Sequence, residues 1–217
     1  MTPQYNVSHK ANTSGRDFFV GDIHGQWDLL QDYLELVSFD KNIDRMFAVG
    51  DLIDRGPDSM KCLSLVFEPW FHSVLGNHEM MALSALIEGR GQDLWFANGG
   101  NWMYDHNALE LRALMEAAAE YLPVKRTIDT VYGKTIGVVH AEPGDHWRDE
   151  NLQEALWSRT RVTKLVDQKV EGIDYVVAGH TPVDLPAMLG NVIFIDTGAY
   201  VTGSLAIVEA REVIGIV

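Results

Sequence analysis

The chain has 217 residues, of which 47% are hydrophobic, 22% charged and 10% aromatic, a globular composition that excludes a disordered, fibrous or low-complexity protein. With 31 acidic residues against 17 basic ones the formal net charge is −14, which disfavours holding a polyphosphate backbone, so nucleic acid is not expected as a partner. The single cysteine, Cys62, excludes an intrachain disulfide framework and a thiolate metal cluster, and no run approaches the roughly 18 apolar residues of a membrane span.

Taken in chain order, residues 1–16 are polar and lack the apolar centre of a signal peptide, so they read as an N-terminal extension. Short apolar runs with the length and bias of buried strands follow. Phe18-Phe19-Val20 leads through Gly21 to Asp22 and His24, Met46 to Val49 leads through Gly50 to Asp51, and Ser73 to Leu75 leads through Gly76 to Asn77 and His78. Later, Thr135 to Val139 stops at His140, Tyr175 to Ala178 leads through Gly179 to His180, and Val192 to Ile195 stops at Asp196. Helical spacing predicts helices over about Trp27–Val37, Ser59–Phe67, Glu79–Glu88, Leu109–Tyr121 and Asn151–Trp157. The alternation argues for an α/β fold. Further strands expected at Ser204–Glu209 and Glu212–Val217, with little helix between, suggest a second sheet. With no repeat and no linker, 1–217 is expected to be one domain, in a reducing cytoplasm and with no membrane partner.

In sheets covered by helices, ligands collect beyond the strand ends. Asp22 and His24, two residues apart in an extended segment, project the same way and could share one ion. Asp51 has two oxygens and could bridge to a second ion completed by Asn77, His140 and His180. Two ions so held would clamp a phosphoryl group and acidify a shared water, and the mixed Asp, His and Asn set favours Mn, Fe or Zn over Mg or Ca. Taken singly, an Asp-x-His pair or a lone histidine is more often a turn or a satisfied polar contact. The argument rests on recurrence at strand ends.

Gly21-Asp22-Ile23-His24-Gly25, Gly50-Asp51-Leu52-Ile53-Asp54-Arg55-Gly56 and Gly76-Asn77-His78-Glu79, in that order, resemble the three signature blocks of the PPP family of metal-dependent serine/threonine protein phosphatases. His140-Ala141 and Gly179-His180-Thr181-Pro182 resemble its later histidine blocks, and Trp157-Ser158-Arg159 an arginine-bearing segment of its phage-lambda-like phage and bacterial branch. The resemblance spans about Phe18 to Gly203. It implies a metallophosphoesterase-type α/β sandwich of two central mixed sheets flanked by helices.

By the same resemblance Asp22, His24 and Asp51 bind a first divalent metal, and Asp51, Asn77, His140 and His180 a second, with Mn foremost and Fe or Zn as alternatives. His78 is then the general acid, oriented by Asp54, while Arg55 and Arg159 contact phosphate. Arg161, two residues on, competes with Arg159 for that role. The chain has Leu75 where family members commonly carry an arginine, which bears on phosphate affinity and substrate range.

The implied reaction is hydrolysis of phosphoserine or phosphothreonine in proteins or peptides, with phosphotyrosine as a further candidate, by direct attack of a hydroxide held between the two metals. No regulatory subunit is evident. A rival on the same scaffold is hydrolysis of a small molecule such as a dinucleoside polyphosphate. A rival of another class, a metal- or phosphopeptide-binding module without turnover, is disfavoured because every proposed ligand and the His–Asp pair are intact. Trp95, Phe96, Trp102 and Tyr104, around Asn98-Gly99-Gly100-Asn101, either wall the cleft or pack the core. His9, His72, His106 and His146 are expected at the surface or in packing, Glu79 and Cys62 in structural roles, and Asp196 in a turn or buried hydrogen bond.

Overall fold

The computed structural model describes residues 3–215. The chain order is β1 (Asn6–His9), β2 (Asp17–Val20), α1 (Trp27–Leu36), β3 (Arg45–Ala48), α2 (Ser59–Ser64), β4 (Phe71–Ser73), α3 (Asn77–Leu86), α4 (Gln92–Ala97), α5 (Ala108–Ala119), β5 (Lys125–Asp129) and β6 (Thr135–Val139). It continues with α6 (Leu152–Trp157), α7 (Thr160–Lys164), β7 (Tyr175–Ala178), β8 (Ala187–Leu189), β9 (Val192–Phe194), α8 (Ala199–Thr202), β10 (Ile207–Glu209) and α9 (Ala210–Gly215). Short 3-10 helices follow α2 at Leu65–Phe67 and α4 at Gly100–Asp105. No described helix is long and apolar enough to cross a membrane.

Two mixed sheets result, one in the order β1-β5-β6-β7-β9-β8 and the other β10-β2-β3-β4. The period-2 alternation of the strands builds the layers. Phe19 and Phe47 face inward and meet Ile136, Val138, Val177 and Ile193 of the other sheet, while Phe18, Val20, Met46 and Ala48 face outward against α1, α2, α3 and α5. Val139, Val176, Ala178 and Phe194 on the far face of the larger sheet are covered by Trp147, Ala155 and Val170. The sheets pair β2, β3 and β4 in parallel, and likewise β6, β7 and β9, so their C-terminal ends open toward one crevice.

Two parts of the architecture lie outside the hydrophobic pattern. β5 has a polar sequence, yet Lys125 and Arg126 are buried. The Lys125 ammonium donates to the carbonyls of Pro143, Trp147 and Asp149 at 2.7–3.1 Å, and Arg126 donates to those of Ser73 and Tyr121 at 2.8 and 2.7 Å. β1, within the polar first sixteen residues, pairs in parallel with β5.

The strand expected over Glu212–Val217 is corrected: residues 210–215 form α9, and Ile216 and Val217 lie outside the described residues. Ala210 and Val213, three apart, are buried on one face of that helix, which a strand register would have split between two faces. The Glu212 carboxylate turns back to accept the Glu209 N–H at 2.6 Å, so the chain bends as β10 ends.

Candidate active site

The segments leaving β2, β3, β4, β6 and β7 deliver Asp22 and His24, Asp51 to Arg55, Asn77 and His78, His140, and His180 into the crevice. Turning so sharply after a strand strains the backbone. Among the described residues seven non-glycines have positive φ, and five are site residues: His24, Asp51, Asp54, Arg55 and His180. Each such conformation costs about 1–3 kcal/mol and persists only where its surroundings enforce it.

Asp51 is the hub. Its carboxylate oxygens lie 3.6 Å from His24 Nε2, 3.5 Å from His140 Nε2 and 3.8 Å from His78 Nε2, and Oδ1 also accepts the His78 backbone N–H at 3.0 Å. Two groups of donor atoms compact enough for one ion each share it: His24, Asp51 and His78, and Asp51, His140 and His180. Asp22 does not join the first group. Its carboxylate instead accepts the His180 backbone N–H, 3.2 Å from either oxygen.

The tautomers show what the donor set fits. His24 Nδ1–H donates to the Ile53 carbonyl and His140 Nδ1–H to that of Val49, each at 2.8 Å, so each Nε2 carries a lone pair. His140 Nε2 nevertheless faces Asn77 Oδ1 at 2.8 Å, and His180 Nδ1 faces the same oxygen at 3.0 Å. Burial holds His24 and His180 down at about 3 and depresses His140 as well, so these rings are neutral, and His140 Nε2 presents a lone pair turned toward an acceptor. At Asp51 burial works against the charge, but His140, His78 and His24 outweigh it and hold the carboxyl below its ordinary range. The His140 Nε2 lone pair, Asn77 Oδ1 and the Asp51 carboxylate converge without a proton between them, which suits a divalent cation.

His78 differs from these rings. Its Nδ1–H donates to Asp54 Oδ2 at 2.6 Å, and although burial pulls the imidazole down, Asp51 and Asp54 carry it above its ordinary value. Burial raises the Asp54 carboxyl, opposed by His78, Trp102 and Trp95, and the Asp54 backbone N–H rests on Ser59 Oγ at 2.9 Å. The two arginines stand exposed at the mouth. Arg55 donates to His24 Nε2 at 2.7 Å and stacks 4.6 Å over the Tyr200 ring, while Arg159 Nε reaches His180 Nε2 at 3.3 Å. Arg161 is buried elsewhere, donating to the Gln168 and Gly144 carbonyls at 2.6 and 3.3 Å. Leu75 packs in the core.

Residues 18–184, more than half of the chain, match the family model described as calcineurin-like phosphoesterase. The chain belongs to that family. The phosphoesterase is 37% identical over 200 residues to serine/threonine-protein phosphatase 2 of Escherichia coli K12, covering 88% of this chain and 91% of the relative. A symmetrical bis(5'-nucleosyl)-tetraphosphatase of Legionella pneumophila is 41% identical over 76 residues only, 34% of this chain and 28% of that one. Among solved structures, a candidate diadenosine tetraphosphatase superposes with a TM-score of 0.69 at 23% identity, over 96% of this chain and 95% of the other, which shows the fold alone.

Sequence reasoning left Tyr200 unassigned and gave only general roles to the other neighbours of the phosphoesterase site. Glu79, expected in a structural role, is buried and accepts backbone N–H groups from the Asp51 loop. Tyr200 reaches the site from more than 140 residues away in sequence with no local pattern to announce it, whereas Trp95 and Trp102, 41 and 48 residues from Asp54, come from the aromatic cluster expected to wall the cleft or pack the core. Asp196 accepts the Gly198 N–H at 2.8 Å in a turn.

Proposed function

We propose that this phosphoesterase is a metal-dependent phosphoprotein phosphatase acting on phosphoserine and phosphothreonine, with phosphotyrosine as a further substrate. The observation that carries the reading is the His78–Asp54 pair, closed at 2.6 Å beside the donors gathered on Asp51. A buried imidazole flanked by two carboxylates keeps a proton to give, which an alkoxide leaving group requires and an anhydride does not. Similarity along nearly the whole chain to a serine/threonine-protein phosphatase, against about a third for the tetraphosphatase, supports the same choice.

In this reading Asp22, His24 and Asp51 hold one divalent ion and Asp51, Asn77, His140 and His180 the other, manganese foremost and iron or zinc as alternatives. Bound there, the ions supply an acidified water and positive charge for the phosphoryl oxygens. Arg55 and Arg159 turn from their imidazole partners to the phosphate, whose equatorial oxygens match the guanidinium fork. His78 Nε2 protonates the departing oxygen, and Asp54 holds the ring through Nδ1. Residues 1–217 act as one catalytic domain, and the lone buried cysteine supports a cytoplasmic setting.

The test strips the protein of metal, adds back Mn, Zn, Fe or Mg singly, and measures phosphate released from phosphoserine, phosphothreonine and phosphotyrosine peptides and from a dinucleoside polyphosphate. Metal-dependent turnover fastest on phosphoserine or phosphothreonine is expected. Turnover confined to the dinucleotide overturns the protein-phosphatase reading.

A further inference from the structure

The segment from Gln92 to Asp105 takes no part in the reaction as described, yet it folds over the Asp54–Arg55 loop. Gly99, at φ +107, lets it lie so close that a methyl group there would sit 3.0 Å from the Arg55 backbone nitrogen. Both tryptophans of the segment point their N–H groups at one carboxylate. Trp95 Nε1 lies 3.0 Å from Asp54 Oδ2 and 3.1 Å from Oδ1, and Trp102 Nε1 lies 2.6 Å from Oδ1. Their rings cross at 89°, so the two donors reach the carboxylate from different directions. Trp95 and Asp54 are fully buried and Trp102 partly so.

A buried indole needs an acceptor, and packing alone would be served by any backbone carbonyl. Convergence of two indoles on the single carboxylate that already holds His78 needs another reason. An indole only donates, and it carries no charge. It therefore fixes and stabilises a carboxylate without adding a cation that would compete with a protonated imidazole, as an arginine or lysine in its place would.

We propose that Trp95 and Trp102 are positioning residues for the proton donor, clamping Asp54 so that Oδ2 stays on His78 Nδ1 and His78 Nε2 faces the leaving-group oxygen. The proposal rests on the phosphatase reading above. In the step served, an oxygen from water bonds to phosphorus as the bond between phosphorus and the leaving oxygen breaks, its electron pair passing to that leaving oxygen. The His78 Nε2 proton moves to the same oxygen, leaving a neutral imidazole still bonded through Nδ1–H to Asp54. Trp102, with the shorter bond and the smaller share in the core, is the more informative to change.

The experiment compares the metal-loaded wild type with Trp102→Phe and Trp95→Phe, which keep an aromatic ring and lose the donor, using a phosphoserine peptide and p-nitrophenyl phosphate. Because an aryl leaving group needs little protonation, Trp102→Phe is expected to lower kcat on the peptide about tenfold at unchanged KM and by less than about twofold on the aryl ester. His78→Asn should show the same asymmetry, larger. Equal losses on both esters, or none on either, overturn the clamp. A wild type that hydrolyses neither ester removes the phosphatase reading and the clamp with it, whereas an asymmetric His78→Asn beside a symmetric Trp102→Phe removes the clamp alone. Should the phenylalanine variants fail to fold, the indole proton resonances of Asp54→Asn decide: those of Trp95 and Trp102 must move relative to wild type, and unmoved resonances overturn the proposal.

Discussion

The Glu79 carboxylate accepts the backbone N–H of Asp51 at 2.9 Å, and with the same two oxygens it also accepts those of Leu52, Ile53 and Gly76 at 2.8, 3.3 and 3.0 Å. One side chain from α3 thus shapes the turn that carries the hub of the site. Glu79→Ala leaves four buried donors unpaired, at about 1–3 kcal/mol for each that water cannot reach. We expect a fall in Tm of about 10 °C or more together with weakened divalent-metal binding, read by calorimetric melting and by titration with Mn. A variant melting within about 2 °C of wild type sinks the assignment.

Arg159 and Arg161 should separate cleanly. Arg161→Met removes donors from two carbonyls inside the protein and should lower Tm without being needed for chemistry. Arg159→Met removes an exposed guanidinium facing His180 and should leave Tm nearly unchanged while lowering kcat/KM about 10- to 100-fold. The reverse pattern would reassign the phosphate contact to Arg161.

Gly179 has no room for a side chain. A methyl group there would lie 2.1 Å from Asp22 Oδ1 and 2.5 Å from Val49 Cγ2, the second a fixed core atom. Gly179→Ala must push Asp22 aside, so metal content after loading and dialysis, measured by elemental analysis, should drop below that of wild type. Full metal content with unchanged turnover would show that Asp22 is not needed where it stands.

His9 titrates far below its ordinary range, at about 4, because burial disfavours its charge and Arg126 and Arg45 repel it. Arg126 Nη1 donates to His9 Nε2 at 3.0 Å, a bond that a protonated ring cannot accept. The unfolded chain takes up a proton near pH 6.5 that the folded chain refuses until about pH 4. Stability contributed by the neutral ring is therefore complete above 6.5 and lost as pH falls through that window. His9→Gln, which offers an oxygen to Arg126, should flatten the dependence of the urea midpoint on pH between 7 and 4 by up to one proton. An unaltered slope would contradict the assignment.

The chain's own order of residues was enough to specify the α/β class, most of the buried strands and helices, and the polar residue waiting at each strand end. Apolar runs of strand length broken by Gly and then Asp, Asn or His report burial and backbone turn locally, within a few residues. It did not disclose β5, because Lys125 and Arg126 look exposed until their carbonyl partners are in place. Nor could it show α9, where packing of Ala210 and Val213 between the sheets outweighs β-branched composition. Only the tertiary structure decided that Asp22 turns to the His180 backbone, that Arg159 and not Arg161 faces the crevice, and that two indoles close on Asp54. The reason is physical: a side chain's partner is set by which distant strand ends the sheet order brings together, and that order is a property of the whole core.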